Sequence, residues 1–294
     1  MTMPLCLATF NFEHGGWDQG NDSYARLDLL PEVVAQIPDV DILFLQEARG
    51  WDNNGSTLLY RAEELLAPCG LRGFLTSSSR GPLHQVIFMR WPRLRPIQHY
   101  AAAQPGVVFT DDVGFLHARL DGLDRPLRLK SVHWPRANGD ARLAEALDLV
   151  PHANPELATI IAGDFNSLWP GEQEFEPDWL ARPPYQRTDK TLPPGARGDD
   201  ELIADRRALT VLHEAGYVNV GSLAEDYAVT THRRPGQGTR IDHILLGPRL
   251  GRFVLPATYR VWTGRLAEQA SDHRLVSVVL DLGSSAGHGT GTRR

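Results

Sequence analysis

The sequence has few cysteines and no long hydrophobic run, and each absence excludes a class of protein. Cys6 and Cys69 are the only cysteines among 294 residues, too few for a disulfide framework or a cysteine-based zinc site. We expect both thiols to be free, as in a reducing compartment. No apolar stretch approaches the roughly 20 residues of a membrane-spanning helix, and residues 1–16 lack the pattern of a secretory signal. These features predict a cytoplasmic protein that does not bind membranes.

The chain also lacks an excess of positive charge. Its formal net charge is −6 at pH 7, which argues against wrapping of nucleic acid on a basic face. A nucleic-acid substrate is still compatible with this charge, because a metal ion supplies positive charge where a phosphate binds. The hydrophobic content of 42% and charged content of 22% are typical of a globular protein with its own core.

Short apolar segments recur along the chain, with helical patterns between some of them. Helical spacing and capping residues predict helices at 23–37, 56–70, 139–150 and 204–216. Apolar runs and partial alternation predict strands at 5–10, 41–47, 85–90, 113–120, 127–134, 158–164, 240–247 and 274–282. Because several predicted strands follow one another directly, the pattern favours a mixed α/β sandwich over a strict alternation of strands and helices.

Residues 1–282 are predicted to form a single domain, with one unusual segment inside it. Residues 172–205 hold nine acidic residues against four Lys or Arg, together with five prolines. This composition predicts an acidic, proline-rich surface insertion, either functional or an ordinary solvated loop. Residues 283–294 are small and polar, which predicts a disordered tail.

Polar residues stand at the ends of the buried strands in six places. One polar residue at a strand end means little, because strands commonly end in polar loops. Six such places, all with residue types used in hydrolysis, indicate an active site, since a sheet scaffold fixes side chains at strand ends. The residues are Asn11, Glu47, His133, Asp164 with Asn166, Asp242, and Asp272 with His273.

The residue types fit one kind of chemistry. Carboxylate and amide oxygens with no cysteine favour Mg²⁺ or Mn²⁺ over zinc. His273 is predicted to act as a general base near neutral pH, with its ring oriented by Asp242. Such a carboxylate–histidine pair activates a nucleophile, here water. His133 and Asn166 would stabilise charge that develops on an oxygen of the reacting group.

The ordered motifs "ATFN", "LQE", "SVHW", "GDFN", "RIDHIL" and "SDH" closely resemble those of the endonuclease/exonuclease/phosphatase superfamily, which has the DNase I-like fold. The resemblance spans Asn11 to His273. It implies a four-layer α/β sandwich, in which two mostly antiparallel β-sheets pack face to face and helices flank them. It also implies metal-dependent hydrolysis of phosphoesters.

The resemblance implies a role for each motif residue. Glu47 would be the main metal ligand, with contributions from Asn11 and Asp272. Asp242 and His273 would form the catalytic pair.

The remaining motif residues would handle the nucleophile and the phosphate. Asp164 and Asn166 would position or activate the nucleophile and hold the phosphate. His133 matches the second histidine of DNase I-like and deadenylase-like members. Which of Asp164 and Asp242 activates the nucleophile is left open by the family.

The motifs narrow the substrate class only in part. Abasic-site endonucleases carry Tyr where His133 stands, and inositol-polyphosphate phosphatases carry Trp before the Gly-Asp motif, so both branches are disfavoured. The predicted function is Mg²⁺-dependent hydrolysis of phosphodiester bonds, most simply by a nuclease acting on DNA or RNA. The alternative is a phosphatase or phosphodiesterase for a small phosphorylated molecule. A catalytically inactive binding module would have a broken motif, whereas every motif position here holds a competent residue.

Two further residues are candidates for substrate binding. Trp134 directly follows His133 and is the best-placed Trp to stack on a base, although ordinary packing is the favoured explanation for a Trp here. Arg234 lies in "THRRPGQGTRID" and is suited to pairing with a phosphate, although a solvated turn explains it too. No protein partner is inferred.

Overall fold

The computed structural model describes residues 2–78, 81–101, 114–171, 173–174, 176–192, 202–232 and 238–283. Within them the strands are β1 (Pro4–Asn11), β2 (Ile42–Gln46), β3 (Leu71–Thr76), β4 (Gln85–Arg90), β5 (Leu94–His99), β6 (Phe115–Leu120), β7 (Leu127–His133), β8 (Ala158–Asp164), β9 (Val218–Asn219), β10 (Asp242–Leu246), β11 (Val254–Trp262) and β12 (Leu275–Asp281). The α-helices are α1 (Leu30–Ala35), α2 (Asn53–Leu66), α3 (Gly139–Leu149), α4 (Pro184–Arg187), α5 (Arg207–Glu214), α6 (Val220–Leu223), α7 (Pro248–Gly251) and α8 (Arg265–Ala270).

These strands form two six-stranded sheets with the same pattern of strand directions. Their orders are β11-β12-β1-β2-β4-β3 and β5-β6-β7-β8-β10-β9. One neighbouring pair in each sheet is parallel, β1/β2 in the first and β7/β8 in the second, and the other pairs are antiparallel. One hydrophobic cluster lies between the sheets, and two more lie between the sheets and their helices. The predicted four-layer α/β sandwich is confirmed.

The alternation of side chains along β1 shows how the layers are built. Leu5 and Leu7 point into the cluster between the sheets, whereas Cys6 and Phe10 point into the cluster under the helices, as expected for a period of two residues. Asn11 continues the odd-numbered series at the end of the strand. The face that packs against the second sheet therefore ends in a polar side chain.

Near this end of the strands, the space between the sheets changes from apolar to polar. Gln46 in β2 accepts a hydrogen bond from the Thr9 hydroxyl (3.3 Å), and its amide nitrogen donates to the Ser131 hydroxyl in β7 (2.9 Å). All three side chains are buried. These bonds join the two sheets beside the strand ends that carry the predicted site.

Four strands were not predicted from the sequence, and each of them is an edge strand. β3, β5, β9 and β11 lie at the outer positions of their sheets, and β5 is exposed at four of its six residues. An edge strand with much of its surface in solvent carries polar residues, so it lacks the apolar pattern on which the prediction depends.

The helix predicted at 23–37 is shorter and begins differently. A 3₁₀ turn at Ala25–Leu29 leads into α1, and Pro31 lies in the first turn of that helix. Proline is tolerated there because the first helical N–H groups have no partner in the helix. Pro31 therefore helps to begin the α-helix.

The structure also bears on the predictions for the cysteines, for membrane spans and for the C-terminal tail. Cys6 is buried, Cys69 is half-buried and both are free. Among the described residues, no helix is long and apolar enough to cross a membrane. The predicted tail lies outside the described residues from position 284 onward, so its disorder stays a prediction.

Replacing Gln46 with Ala should lower the free energy of unfolding by about 2–4 kcal/mol, because the buried Thr9 and Ser131 hydroxyls each lose a hydrogen bond and a cavity forms between the sheets. Urea denaturation would measure this change. Gln36→Ala is the matched control: Gln36 is half-buried and donates only to the Val33 carbonyl of its own helix, so a change within about 0.5 kcal/mol is expected. Equal losses in the two variants would contradict the proposed role of the bridge.

Candidate active site

The strand directions of the first sheet bring three of the predicted places together. β1 and β2 run parallel, and Asn11 pairs with Gln46 in their register, so both strands end at the same edge. Glu47 follows β2 directly. β12 runs antiparallel to β1 and therefore begins at this edge, where Asp272 and His273 precede it.

The second sheet repeats this arrangement. β7 and β8 run parallel, and their last residues, His133 and Asp164, are paired in the register. β10 runs antiparallel to β8 and begins with Asp242, which pairs with Asp164. Because the sheets pack face to face, their two sets of strand ends meet in one cleft.

The side-chain amide of Asn11 joins the carboxylates of the two sheets. Its nitrogen lies 3.2 Å from Glu47 Oε1 and 3.1 Å from Asp164 Oδ2. Its oxygen accepts the backbone N–H of Glu13 at 3.2 Å, which orients the nitrogen toward the carboxylates. In this geometry Asn11 holds Glu47 and Asp164 beside each other, and its predicted contribution to a metal site stays a prediction.

Two site residues adopt a left-handed backbone conformation that is uncommon for residues other than glycine. Glu47 has φ of 63° and Asn166 has φ of 48°. Glu47 Oε2 accepts the backbone N–H of His14 at 2.8 Å, and Asp164 Oδ1 accepts that of Asn166 at 2.8 Å. Backbone strain of this kind concentrates at functional sites, where the surrounding structure enforces it.

Asp242 and His273 form a buried pair across the two sheets. Asp242 Oδ2 lies 2.8 Å from His273 Nδ1. The Ser271 hydroxyl accepts the His273 backbone N–H and donates to the Asn11 carbonyl at 2.5 Å, which fixes the start of β12 against the end of β1. The other ring nitrogen, His273 Nε2, lies 3.8 Å from Asp164 Oδ2. The pair thus has the geometry predicted for a carboxylate that orients a catalytic histidine.

Carboxylates determine the charge state of this histidine. Burial by itself would lower the pKa of His273, but the charge and hydrogen bond of Asp242, followed by the charges of Asp164 and Asp272, raise it to about 10. The Asp242 pKa is raised by burial, and His273 opposes that shift. The carboxylates around the ring therefore favour the protonated form of His273. A general base must be neutral, so the base function predicted for His273 requires a cation that offsets these carboxylates.

The donor groups fit a divalent cation. Ligand atoms of Asp164, Asp242 and His273 lie within 4.8 Å of one another, and Glu47 is joined to Asp164 through Asn11. This oxygen-rich set without thiols suits Mg²⁺ or Mn²⁺. The excess negative charge that raises the pKa of His273 is what such a cation would balance.

The strand ends open into a catalytic cavity of about 250 Å³. His133 Nε2 lies between the two sheets there, 3.6 Å from Glu47 Oε1 and 3.7 Å from Asp164 Oδ2. Asp272 and His273 line the same cavity. The predicted residues of both sheets therefore face one space large enough for a phosphoester group.

The two predicted substrate-binding residues receive no support from the structure. Trp134 is 2% exposed and packs edge-on against Phe165, with the ring centroids 4.7 Å apart, so its ring is not open to a stacking base. Arg234 lies outside the described residues. After the "GDFN" motif, Leu168 lines the catalytic cavity, whereas Trp169 packs in the core.

Several residues of the cavity wall were not predicted from the sequence, and Lys190 is the one that contacts a motif residue through its charged group. Lys190 belongs to the insertion, and its Nζ lies 2.8 Å from Asn166 Oδ1 and 3.3 Å from the Asn166 carbonyl. The Asn166 amide nitrogen donates to the Trp134 carbonyl at 3.0 Å. Lys190 and Lys130 are the only lysines in the sequence. This scarcity was the one sequence feature that could have drawn attention to Lys190.

Residues 8–273 match the family model described as the Endonuclease/Exonuclease/phosphatase family. The chain belongs to this family. Membership indicates a hydrolase that acts on phosphoester bonds, in a family that is generally dependent on divalent metals. No curated protein matches the sequence.

Several solved structures share the fold at low sequence identity. An AP endonuclease from Archaeoglobus fulgidus is 18% identical with a TM-score of 0.62, and the match covers 95% of this chain and 100% of that one. A 3′–5′ exonuclease from Neisseria meningitidis is also 18% identical, with a TM-score of 0.62 and coverage of 94% and 100%. A mannosyl-6-phosphatase from Bacteroides thetaiotaomicron is 16% identical, with a TM-score of 0.57 and coverage of 93% and 98%.

Replacing Gly163 with Ala should displace Asp164 and destabilise the protein. Gly163 has φ of 149°, and an added Cβ would collide with the Val132 carbonyl oxygen of the neighbouring strand. We expect the free energy of unfolding to fall by at least about 2 kcal/mol, as measured by urea denaturation.

Gly171→Ala is the matched control for this variant. Gly171 has nearly the same φ, 142°, but nothing lies within 4 Å of an added Cβ. Both variants carry the same backbone strain, so the difference between them measures the collision with β7. Equal destabilisation would show that close approach of the strands is not the reason for this glycine.

Proposed function

We propose that the protein is a divalent-metal-dependent phosphodiesterase, most simply a nuclease that acts on DNA or RNA. The observation that carries this proposal is the buried Asp242–His273 pair, whose free ring nitrogen faces Asp164 in the catalytic cavity. A histidine held in this way by a carboxylate activates a water molecule for attack on a phosphate.

Each residue of the candidate site has a specific role in the proposed reaction. Asp242 holds the His273 ring and stabilises the positive charge that the ring gains when Nε2 takes the proton of the attacking water. Asp164 positions that water, and the Asn11 amide and the Asn166 backbone N–H fix its carboxylate. His133 and the Asn166 amide donate hydrogen bonds to phosphate oxygens as negative charge develops on them.

The metal site belongs to the same proposal. Glu47, Asp272 and Asn11 would hold the ion at the edge of the first sheet, with Asp164 beside them. When bound, Mg²⁺ or Mn²⁺ would polarise the phosphoryl group and offset its negative charge.

A small phosphorylated molecule or nucleotide is the second candidate substrate. The specific observation in its favour is the catalytic cavity, which the insertion narrows to about 250 Å³ with Trp179, Arg182 and Lys190 in its wall. A cavity of this size suits a single phosphorylated unit better than an extended duplex. The net charge of −6 also favours it over a substrate that needs a broad basic face.

Incubation with Mg²⁺ or Mn²⁺ and a panel of substrates should separate the two candidates. The panel is supercoiled DNA, single-stranded DNA, RNA and free nucleotides, analysed by gels and chromatography. Nicking or degradation supports the nuclease, whereas release of phosphate from nucleotides alone supports the small-molecule enzyme. Asp164→Ala and His273→Ala should each lower kcat by at least about 100-fold, and EDTA should abolish activity.

His213→Ala is the control for this assay, because His213 is an exposed residue of α5 that packs against Trp169 outside the catalytic cavity. Its activity should match that of the native protein. Activity that survives in both Asp164→Ala and His273→Ala would contradict the assignment of the site.

The pair should also act as one unit. Asp242→Asn and His273→Ala should each reduce kcat strongly, and the double variant should be about as slow as the slower single variant, because each change disables the same group. Steady-state kinetics would test this, with thermal unfolding as a check on folding. Multiplicative losses would mean that Asp242 and His273 contribute separately.

A further inference from the structure

The insertion is fixed to the domain at several points, which gives its cavity-lining side chains defined positions. Glu174 forms a buried ion pair with Arg240, two residues before Asp242. Further along, the Lys190 carbonyl accepts the backbone N–H of Asp205 at 2.8 Å. Trp179 is buried in a small cluster of its own with Leu168 and Ala204. The described part of the insertion therefore forms a wall of the cleft.

A buried arginine connects this wall to the loop that follows His133. Arg142 in α3 donates to the carbonyls of Pro135 and Arg136, both at 3.1 Å, and to the carbonyl of Asp189 at 2.8 Å. Its guanidinium thus spans from the loop after β7 to the residue before Lys190. Arg136 and Lys190 are placed on two segments that one side chain holds together.

Beside the catalytic cavity lies a second cavity of about 570 Å³, and the two share a wall. That shared wall has three cations, Arg136, Arg182 and Lys190, together with Thr239 and Asp272. Asp189 is a second carboxylate in the lining of the larger cavity. The described lining of the larger cavity thus has three basic side chains against two carboxylates, whereas the chain as a whole has a net charge of −6.

The three cations differ in how they are held. The Lys190 ammonium hydrogen-bonds to the Asn166 oxygens, and the Arg182 guanidinium lies 4.9 Å over the buried Trp179 ring. Arg136 is exposed. Burial and the nearby Arg142 and Arg136 lower the pKa of Lys190 to about 7, against the smaller effect of Asp164 and Asp189. An anion beside this ammonium would favour its charged form.

We propose that Arg136, Arg182 and Lys190 form an anion subsite that binds a second phosphate group of the substrate, next to the phosphoester that is hydrolysed. The subsite rests on the proposed phosphodiesterase function and defines its substrate class. The preferred substrate carries two phosphates close together, as a nucleotide bisphosphate or a nucleic-acid strand does. Guanidinium and ammonium groups on separate segments bind phosphate oxygens by charge-assisted hydrogen bonds.

A chromogenic series of thymidine esters tests the subsite. One substrate is the p-nitrophenyl ester of thymidine 5′-phosphate with a free 3′-hydroxyl, and the other carries a 3′-phosphate in addition. We expect kcat/KM for the second to exceed that for the first by about 10-fold or more, the gain typical of charged hydrogen bonds. In Lys190→Met and Arg182→Leu this ratio should fall toward 1, and Lys190→Arg should restore most of it.

Lys130→Met is the matched control, because it removes the other lysine, which lies in β7 outside the shared wall. Its ratio should equal that of the native protein. A native ratio near 1, or a ratio that persists in both Lys190→Met and Arg182→Leu, would overturn the subsite while leaving the hydrolysis of the simple ester intact.

If no ester is hydrolysed, the proposed function is contradicted. A binding measurement still tests the subsite in that case. Isothermal titration calorimetry would compare thymidine 3′,5′-bisphosphate with thymidine 5′-phosphate. Tighter binding of the bisphosphate to the native protein, lost in Lys190→Met and kept in Lys130→Met, supports the subsite. Equal affinities in the native protein would overturn it.

The length of an oligonucleotide substrate distinguishes whether the second phosphate belongs to a nucleic-acid strand or to a small molecule. Oligothymidylates of two to eight nucleotides are compared with the bisphosphate ester under the same conditions. A kcat/KM that keeps rising with length indicates a nucleic-acid strand, whereas a plateau at the second phosphate indicates a small bisphosphorylated molecule.

Discussion

One parallel strand pair inside each otherwise antiparallel sheet is the constraint on which the site depends. Parallel neighbours end at the same edge, and the antiparallel strands on either side of them begin there, so each sheet presents two strand ends and two strand starts together. Packing the two sheets face to face then brings both sets into one cleft. If β1/β2 or β7/β8 were antiparallel, the site residues that follow the two strands of that pair would lie at opposite ends of the sheet.

Charge balance links the geometry of the cleft to its chemistry. Asn11 holds the Glu47 and Asp164 carboxylates within reach of one amide, an arrangement whose repulsion has to be offset by something positive. Part of the compensation is His273, which gains a proton from its acidic surroundings. The cleft thus concentrates negative charge at the strand ends, and the basic side chains Arg136, Arg182 and Lys190 lie in the wall that it shares with the second cavity.

Much of the fold and most of the site could be predicted from the sequence, and the gaps have physical causes. Buried strands such as β8 have apolar runs and end in motif residues, so both were visible. Edge strands such as β5 are largely exposed and lack that signal. Lys190 was missed because it comes from an acidic, proline-rich segment with no motif, and only tertiary packing brings it to Asn166. Trp134, next to a motif histidine, is a core residue.

The anchoring of the insertion has a consequence for how this enzyme can diverge. Arg142 binds the carbonyls of Pro135, Arg136 and Asp189, and every amino acid supplies a carbonyl. Arg142 therefore holds the wall of the cleft through backbone atoms, and these contacts do not depend on the side chains of the segments that it joins. Side chains on those segments can change during evolution without loss of the wall, so substrate preference can shift while the strand ends proposed to perform hydrolysis stay unaltered.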